Sequence, residues 1–343
     1  MKGLYYIGFD VHKKTIAYCA KDETGRVVER GTIAANRAGL GGWAESVGMP
    51  WTGAMEATLF TGWIYDFLKP YAVELKVAHP AMLKAISASK KKNDRDDAEK
   101  IADLLRCDLL PECYMASQEI RELRRILRYR NLMVREAIKM KNKTAGLLME
   151  VGAEYNKKSL HRKKYFAALL ETIEDVPGSV IDMLRLNRNS LEMFEQIQKK
   201  LVKQIREHEE IKERVERLMT IGGIGEITAL TWVLEIGDPC RFSNNRQAIS
   251  YCGLCSAQRE SAGKEKRGPL SKQRNKHLQT VLIEAAKLAP RRNAELAEVY
   301  IRELARGNHN RATLAVARKL VAYLLAVDKR LTGFMPRDQF LAA

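Results

Sequence analysis

Five short apolar runs, each bounded by turn residues, crowd into residues 4–80, and beyond residue 94 such runs almost vanish. That switch, from strand-like alternation to helical spacing, limits the fold more than any other feature of the chain. "LYYIGFDV" and "TIAYCAK" read as buried strands, "DETG" as a hairpin turn and "RVVERGTI" as a third strand. "NRAGLGGWAESVG" predicts a helix and "WTGAMEAT" a strand. "LFTGWIYDFLKPY" predicts a helix stopped by Pro70, and "VELKVAHP" a fifth strand. Three strands, then helix–strand–helix–strand, predict a mixed α/β sheet.

The rest reads as helical. Ile120 to Met149 places Leu123, Ile126, Leu127, Val134, Ile138 and Leu148 at helical spacing, with basic residues between them. A helix of ~30 residues would be ~45 Å long, more than a compact core needs. Pro177–Gly178 is a break. Leu191, Phe194, Ile197, Leu201, Ile205, Ile211, Val215 and Leu218 then continue at three-and-four spacing. Two long helices about a break suggest an antiparallel, coiled-coil-like arm, with an ordinary helical bundle as the alternative. The expected organisation is an α/β domain over 1–115, a long-helix arm over 116–210 and a mostly α domain over 211–335.

No apolar run approaches the ~18–20 residues that span a bilayer. "MKGLYYIGFD" reads as a strand rather than a signal peptide, so the expectation is a cytoplasmic protein without a membrane partner. The charge is more telling. Fifty-nine Lys and Arg against 42 Asp and Glu leave a net charge of +17, concentrated in residues 121–164 and 257–292. An uneven basic surface predicts a polyanionic partner, most simply nucleic acid. The six cysteines are too sparse for a disulfide framework, and Cys252-x-x-Cys255 is only half of a zinc site.

Within this basic chain, a few acids fall at chosen places. Asp10 ends the first strand and Glu56 a later one. In "KKKNDRDDAEK", Lys90 to Lys100, a helix beginning at Asp94 puts Ala98, Ile101, Ala102 and Leu105 on one face. Asp94 and Asp97, spaced i,i+3, lie on or beside that face. Asp96, Glu99 and Asp103 fall on the wet side, and Lys90 to Lys92 face phosphate or solvent. Carboxylates turned toward a core need a cation, and one or two Mg²⁺ suit carboxylate and water oxygens. Helix capping by Asp94 and a favourable first-turn acid at Asp97 are the simpler reading.

Toward the C-terminus, "LMTIGGIGEITALTWV" fits a helix-hairpin-helix. Gly223 and Gly225 permit a tight turn, and amide N–H groups at the new helix start can hold a phosphate. A plain packing joint is the alternative. "SAQRESAGKEKRGPLSKQRNKHLQ" reads as a basic loop leading into a helix.

"YIGFDVHKK", "MEAT", "KKNDRDDAEKIADLL" and "IGGIGEITA", in that order, resemble the DEDD transposases of bacterial insertion sequences, which are similar to RuvC-like junction resolvases and to Piv-type DNA invertases. The resemblance implies an RNase H-like N-terminal domain with Mg²⁺ held by Asp10, Glu56, Asp94 and Asp97. It also implies a serine nucleophile in the basic stretch, and Ser261 aligns best, with Ser256 and Ser271 nearby. Lys264, Lys266, Arg267, Lys272 and Arg274 would then stabilise phosphate charge. The further implied partners are donor and target DNA duplexes and a structured non-coding guide RNA. A dimer or tetramer is implied too, working at the nucleoid of a bacterium or archaeon.

Four functional classes follow from these readings. The first is a Mg²⁺-dependent, serine-nucleophile recombinase. The second is a metal-dependent nuclease or junction resolvase using water. A sugar-kinase-like ATPase is disfavoured because "DVHKKT" is no Gly/Thr-rich phosphate loop. An architectural DNA-binding protein would explain the charge but not the acids.

Overall fold

The computed structural model describes residues 3–86, 94–261 and 264–335, without the side chains of residues 94, 95 and 258–267. Lys90 to Lys92 therefore lie outside the described residues. The chain forms two compact units, Met1–Gln118 and Glu119–Ala343.

The first unit contains β1 (Tyr5–Val11), β2 (Thr15–Lys21), β3 (Val27–Ala34), α1 (Arg37–Ser46), β4 (Trp51–Glu56), α2 (Thr61–Leu68), β5 (Glu74–Ala78), α3 (Pro80–Ile86) and α4 (Asp94–Arg106). The five strands and the first two helices fall where the sequence predicts them. Strand order is β3-β2-β1-β4-β5. β2 runs antiparallel to both of its neighbours, while β1, β4 and β5 are parallel.

Alternation along β1 sorts the two faces of the sheet. Ile7, Phe9 and Val11 join Trp43, Trp51, Met55, Ile64 and Leu68 in the larger core. There Phe9 meets the Trp43 and Trp51 rings edge-on, at centroid separations of 5.2 and 5.9 Å. Tyr6, Gly8 and Asp10 point to the opposite face, which carries small residues: Ala17, Cys19, Ala54 and Ala78 are all buried there. Small side chains let α4 lie directly on the strands, with Ala98, Ile101 and Leu105 facing them. The contact is closest at Gly8. A Cβ there would stand 2.1 Å from the Ala98 carbonyl oxygen and 2.5 Å from the Ala102 nitrogen.

An ionic tie fastens the same helix. Lys21, at the end of β2, is buried, and its Nζ lies 2.7 Å from Asp103 and 3.0 Å from Glu99 of α4. Burial alone would lower the Lys21 pKa. The hydrogen bonds to Asp103 and Glu99 outweigh it and hold the ammonium above its ordinary value. Glu99 and Asp103, expected on the wet side, keep some solvent but are also the partners of a buried lysine. Lys21 gave no sign in a local pattern, because its partners are about 80 residues away.

The second unit begins with α5 (Gln118–Glu150), followed by α6 (Lys163–Thr172) and α7 (Gly178–Arg206). α5 and α7 run antiparallel. Leu147 and Leu148 share a core with Val180 and Leu184, and Lys141 pairs with Glu195 at 3.4 Å. Then come α8 (Glu209–Met219), α9 (Glu226–Ile236), α10 (Asn245–Tyr251), β6 (Ser256–Ser261), β7 (Lys264–Leu270), α11 (Lys276–Leu288), α12 (Ala294–Ala305) and α13 (His309–Arg330).

Two expectations change here. The apolar series Leu191–Leu218 is two helices, broken at Glu207–His208. Its rhythm already fails there, since Ile205 and Ile211 are six apart. And residues 256–270, expected as a loop, form the β6–β7 hairpin, with Ser256 opposite Leu270 and Ser261 opposite Lys264. Charge on both faces of these strands hides the alternation that reveals a half-buried strand.

α9 is buried from Thr228 to Ile236 and is the hub of this unit. Two buried carboxylates tie helices to it. Asp328 of α13 takes a bidentate pair from Arg214 of α8, at 2.6 and 2.7 Å, and a bond from Trp232 Nε1 at 2.8 Å. Glu235 of α9 takes a bidentate pair from Arg128 of α5, both at 2.8 Å, and one from Asn275 Nδ2 at 2.8 Å. Burial pushes the Glu235 carboxyl up, but Arg128 and Asn275 outweigh that and hold it below its ordinary range.

Replacing Lys21 by Met should cost about 1–2 kcal/mol, less than for a fully buried pair because both carboxylates keep some solvent. A lysine whose folded-state pKa is raised stabilises fully below its unfolded value, ~10.4, and loses that stabilisation as pH rises through the folded value. Urea unfolding of both proteins should therefore show a constant deficit from pH 7 to 9 that shrinks above about pH 10.5.

Candidate active site

Asp10 and Glu56 each follow one residue after the Phe9–Met55 pair, which ends the register between the parallel strands β1 and β4. They therefore stand side by side at the carboxyl ends of adjacent strands, on the face that carries Gly8 and Ala54. Asp10 is mostly buried, with 14% of its side chain exposed, and its Oδ2 lies 3.2 Å from His12 Nε2. The turn after Glu56 is fixed by Thr61. Its hydroxyl donates to the Glu56 carbonyl at 2.9 Å and accepts from the Thr58 N–H at 2.7 Å.

The direction of α4 brings in the other two acids. Lys21, which pairs with Tyr6 near the start of β1, reaches Glu99 and Asp103. Gly25, in the β2–β3 turn, approaches Arg106. Gly8, midway along β1, meets Ala98 and Ala102. α4 thus runs antiparallel to β1, with its last turn over the strand's beginning and its first turn toward the strand's end. Asp94 and Asp97 occupy that first turn. Asp97 accepts from Lys100 Nζ at 3.1 Å and is about a quarter exposed. The Asp94 carboxylate lies outside the described side chains.

Carboxylate oxygens are the hard donors Mg²⁺ prefers, and Asp10, Glu56 and Asp97 stand at two strand ends and one helix start. Among the described residues, no three His, Cys, Asp or Glu side chains come together as a metal cluster. Cys252 is buried, and that burial pushes its thiol well above the ordinary value.

The other predicted residues lie in the second unit. Ser261 is the last residue of β6, opposite Lys264. The side chains of Ser261, Lys264, Lys266 and Arg267 are outside the described set. Ser256 begins β6. Ser271 has a local duty, its Oγ accepting from the Gln273 N–H at 3.2 Å, while its own N–H closes the hairpin root on Cys255. Lys272 is exposed, and Arg274 packs over Gly253, whose φ of +72° and lack of Cβ make room for it. Asn275 caps α11 and holds Glu235. The root of the hairpin is therefore fastened through Glu235 to Arg128 on α5. This linkage was not legible in the sequence.

At the α8–α9 turn, Gly223 has φ +97°, and a Cβ there would lie 2.5 Å from Ala289. It allows a close packing contact. Gly225 is the N-cap of α9, and a Cβ there would meet nothing within 4 Å. Glu226 follows in the first turn and lies 3.6 Å from Arg206.

Residues 7–152 match a DEDD transposase family model, and residues 215–301 match the model of the IS116/IS110/IS902 transposase family. These matches, with the relatives that follow, support an insertion-sequence transposase of the IS110/IS116 family. It is 26% identical to the transposase for insertion sequence element IS1111A of Coxiella burnetii, over 96% of this chain and 91% of that one. It is 25% identical to the putative transposase y4qE of Sinorhizobium fredii, over 96% and 87%. With a probable family 20 transposase of Pseudomonas aeruginosa it shares 28% identity, over 71% and 74%. The transposase is thus an enzyme that acts on DNA. Among its described residues no helix is long and apolar enough to cross a membrane.

If the seat of α4 at Gly8 sets the acids in place, adding one methyl there should disable the transposase. Gly8→Ala overpacks the helix–strand contact, at a cost of about 1–3 kcal/mol. It should lower the melting temperature by several degrees and abolish transposition at temperatures where circular dichroism shows it folded. Gly48→Ala, whose Cβ would meet nothing within 4 Å, should leave both unchanged.

Proposed function

We propose that this transposase cuts and rejoins DNA with Mg²⁺ held by Asp10, Glu56, Asp94 and Asp97 and with Ser261 as nucleophile. The observation that carries this is the convergence of the β1 end, the β4 end and the first turn of α4 on one edge of the sheet. The strand order β3-β2-β1-β4-β5 with β2 reversed supports an RNase H-like reading of the first unit.

The metal, when bound, would draw charge from the scissile phosphate and favour the alkoxide of an attacking hydroxyl. Ser261 Oγ would attack phosphorus while the bond from phosphorus to one sugar oxygen breaks. The serine proton leaves, the departing sugar oxygen gains one, and a phosphoserine ester remains. That ester preserves the bond energy of the phosphodiester, so a new sugar hydroxyl can reverse the exchange and rejoin the strand without a further energy source. Ser261 stands at the end of β6, beyond a root fixed by Asn275 and Glu235, which supports its reading as the nucleophile. Lys264, Lys266, Arg267, Lys272 and Arg274 would surround the phosphate with positive charge. The open N-terminus of α9 at Gly225, with Gly223 packing the turn, supports reading α8–α9 as a helix-hairpin-helix on duplex backbone.

The uncompensated positive charge of the second unit suits a structured guide RNA beside the DNA. Exposed Ile138, Met149, Met183, Leu186 and Met193 on the long helices support a homo-oligomer, a dimer or tetramer. Family membership favours recombination over a junction resolvase that uses water.

Incubation with Mg²⁺ and element-end DNA, then denaturing electrophoresis, should reveal a protein–DNA adduct. Ser261→Ala should eliminate it, whereas Ser256→Ala and Ser271→Ala should retain it. Asp97→Asn should reduce cleavage at least 10³-fold and Asp96→Asn by less than tenfold. A persistent adduct in Ser261→Ala removes that serine from the chemistry.

A further inference from the structure

Between α5 and α7, residues 155–170 contain five cations, Lys157, Lys158, Arg162, Lys163 and Lys164, and no acid. All five are exposed. Elsewhere on these helices several cations are matched: Lys139 with Glu136 at 2.9 Å, Lys141 with Glu195 at 3.4 Å, Arg185 with Asp182 at 3.5 Å, Arg188 with Glu192 at 2.9 Å. Among the described residues, none of the five takes part in an ion pair.

The segment that carries them is firmly built. Leu160, Phe166 and Leu169 pack with Leu147, Leu148, Val180 and Leu184 in a core of their own. The Asn156 side chain accepts from the Lys158 and Ser159 N–H groups, and the Asn156 N–H donates to the Tyr165 hydroxyl at 2.7 Å. Arg188 of α7 donates to the His161 carbonyl at 2.9 Å. Lys163 and Lys164 also open α6, whose first turn has no acid, so their charges oppose the helix dipole. In isolation such an arrangement repels itself, and an anion laid across it removes the repulsion.

We infer that this end of the α5–α7 pair is a second grip on the phosphate backbone of duplex DNA, separate from the nucleophile hairpin. It rests on the reading of the chain as a transposase that handles DNA directly. Distance favours a duplex. From Arg128, where α5 is tied to Glu235, to Glu150 is 22 residues, or about 33 Å of helix. That is close to one turn of B-DNA, ~34 Å, so a duplex engaged near the α9–α11 core presents its backbone again at this end. The contact is with phosphate and carries no base sequence.

The test replaces all five cations by Gln in the full chain. Binding to a 30-bp DNA duplex and a 30-bp RNA duplex of unrelated sequence is followed by fluorescence anisotropy from 50 to 200 mM salt. Each phosphate contact contributes about −0.9 to the slope of log K against log salt, so the DNA slope should flatten by about 4. Wild type should accordingly lose about 10²–10³-fold more affinity than the variant across that range. Replacement by the other cation (Lys→Arg, Arg162→Lys) should keep the wild-type slope. Removing charge that opposes the α6 dipole should leave the melting temperature unchanged or raise it. An unchanged DNA slope overturns the second grip and leaves the transposase reading standing. A change confined to RNA overturns the assignment to DNA. Wild-type protein that binds neither duplex overturns both readings together.

Discussion

The first unit depends on one close contact, the backbone of α4 lying against β1 at Gly8. Nothing larger than hydrogen fits between that strand and the carbonyl of Ala98. The small residues around it, Ala17, Cys19, Ala54 and Ala78, keep the helix low along its length. Lys21 sets its direction by pairing with Glu99 and Asp103 at the far end. In the proposed site, that direction is what carries Asp94 and Asp97 toward Asp10 and Glu56. Reversed, the same helix would carry Asp94 and Asp97 to the wrong edge of the sheet.

The second unit solves a different problem, holding long helices to a hub that is buried almost throughout. It does so with two carboxylates, Glu235 and Asp328, each gripped by a bidentate arginine. Such pairs add little net stability compared with apolar packing, but their geometry is exacting, and an unpaired buried charge is strongly unfavourable. Their contribution is therefore register. Glu235 joins α5 to α9 and to the start of α11, and the root of the hairpin that bears Ser261 is fixed between α10 and α11.

Local patterns carried much of this. The five strands and the 33-residue α5 followed from apolar spacing, and "YIGFD" already alternates large and small side chains about Gly8. The wheel for Asp94–Arg106 correctly buried Ala98, Ile101, Ala102 and Leu105. What escaped were facts about pairs distant in sequence. Lys21, Arg128 and Arg214 look like any other basic residue until their partners, 78 to 114 positions away, are known. The β6–β7 hairpin escaped for another reason: strands charged on both faces show no alternation of polarity. The sequence leaves the turn at Gly223 open between a phosphate-binding hairpin and a packing joint, and the close approach of Ala289 adds a packing duty there.

The proposed chemistry needs a metal held at the edge of the sheet by acids from β1, β4 and α4, and mapping that metal directly is the decisive measurement. Fe²⁺ substituted for Mg²⁺, with ascorbate and peroxide, releases hydroxyl radicals that cut the polypeptide next to the bound ion. Fragments ending near Asp10, near Glu56 and between Asp94 and Asp97, all suppressed by excess Mg²⁺, are the expected result. Cuts confined to other regions, with these three segments intact, would contradict it.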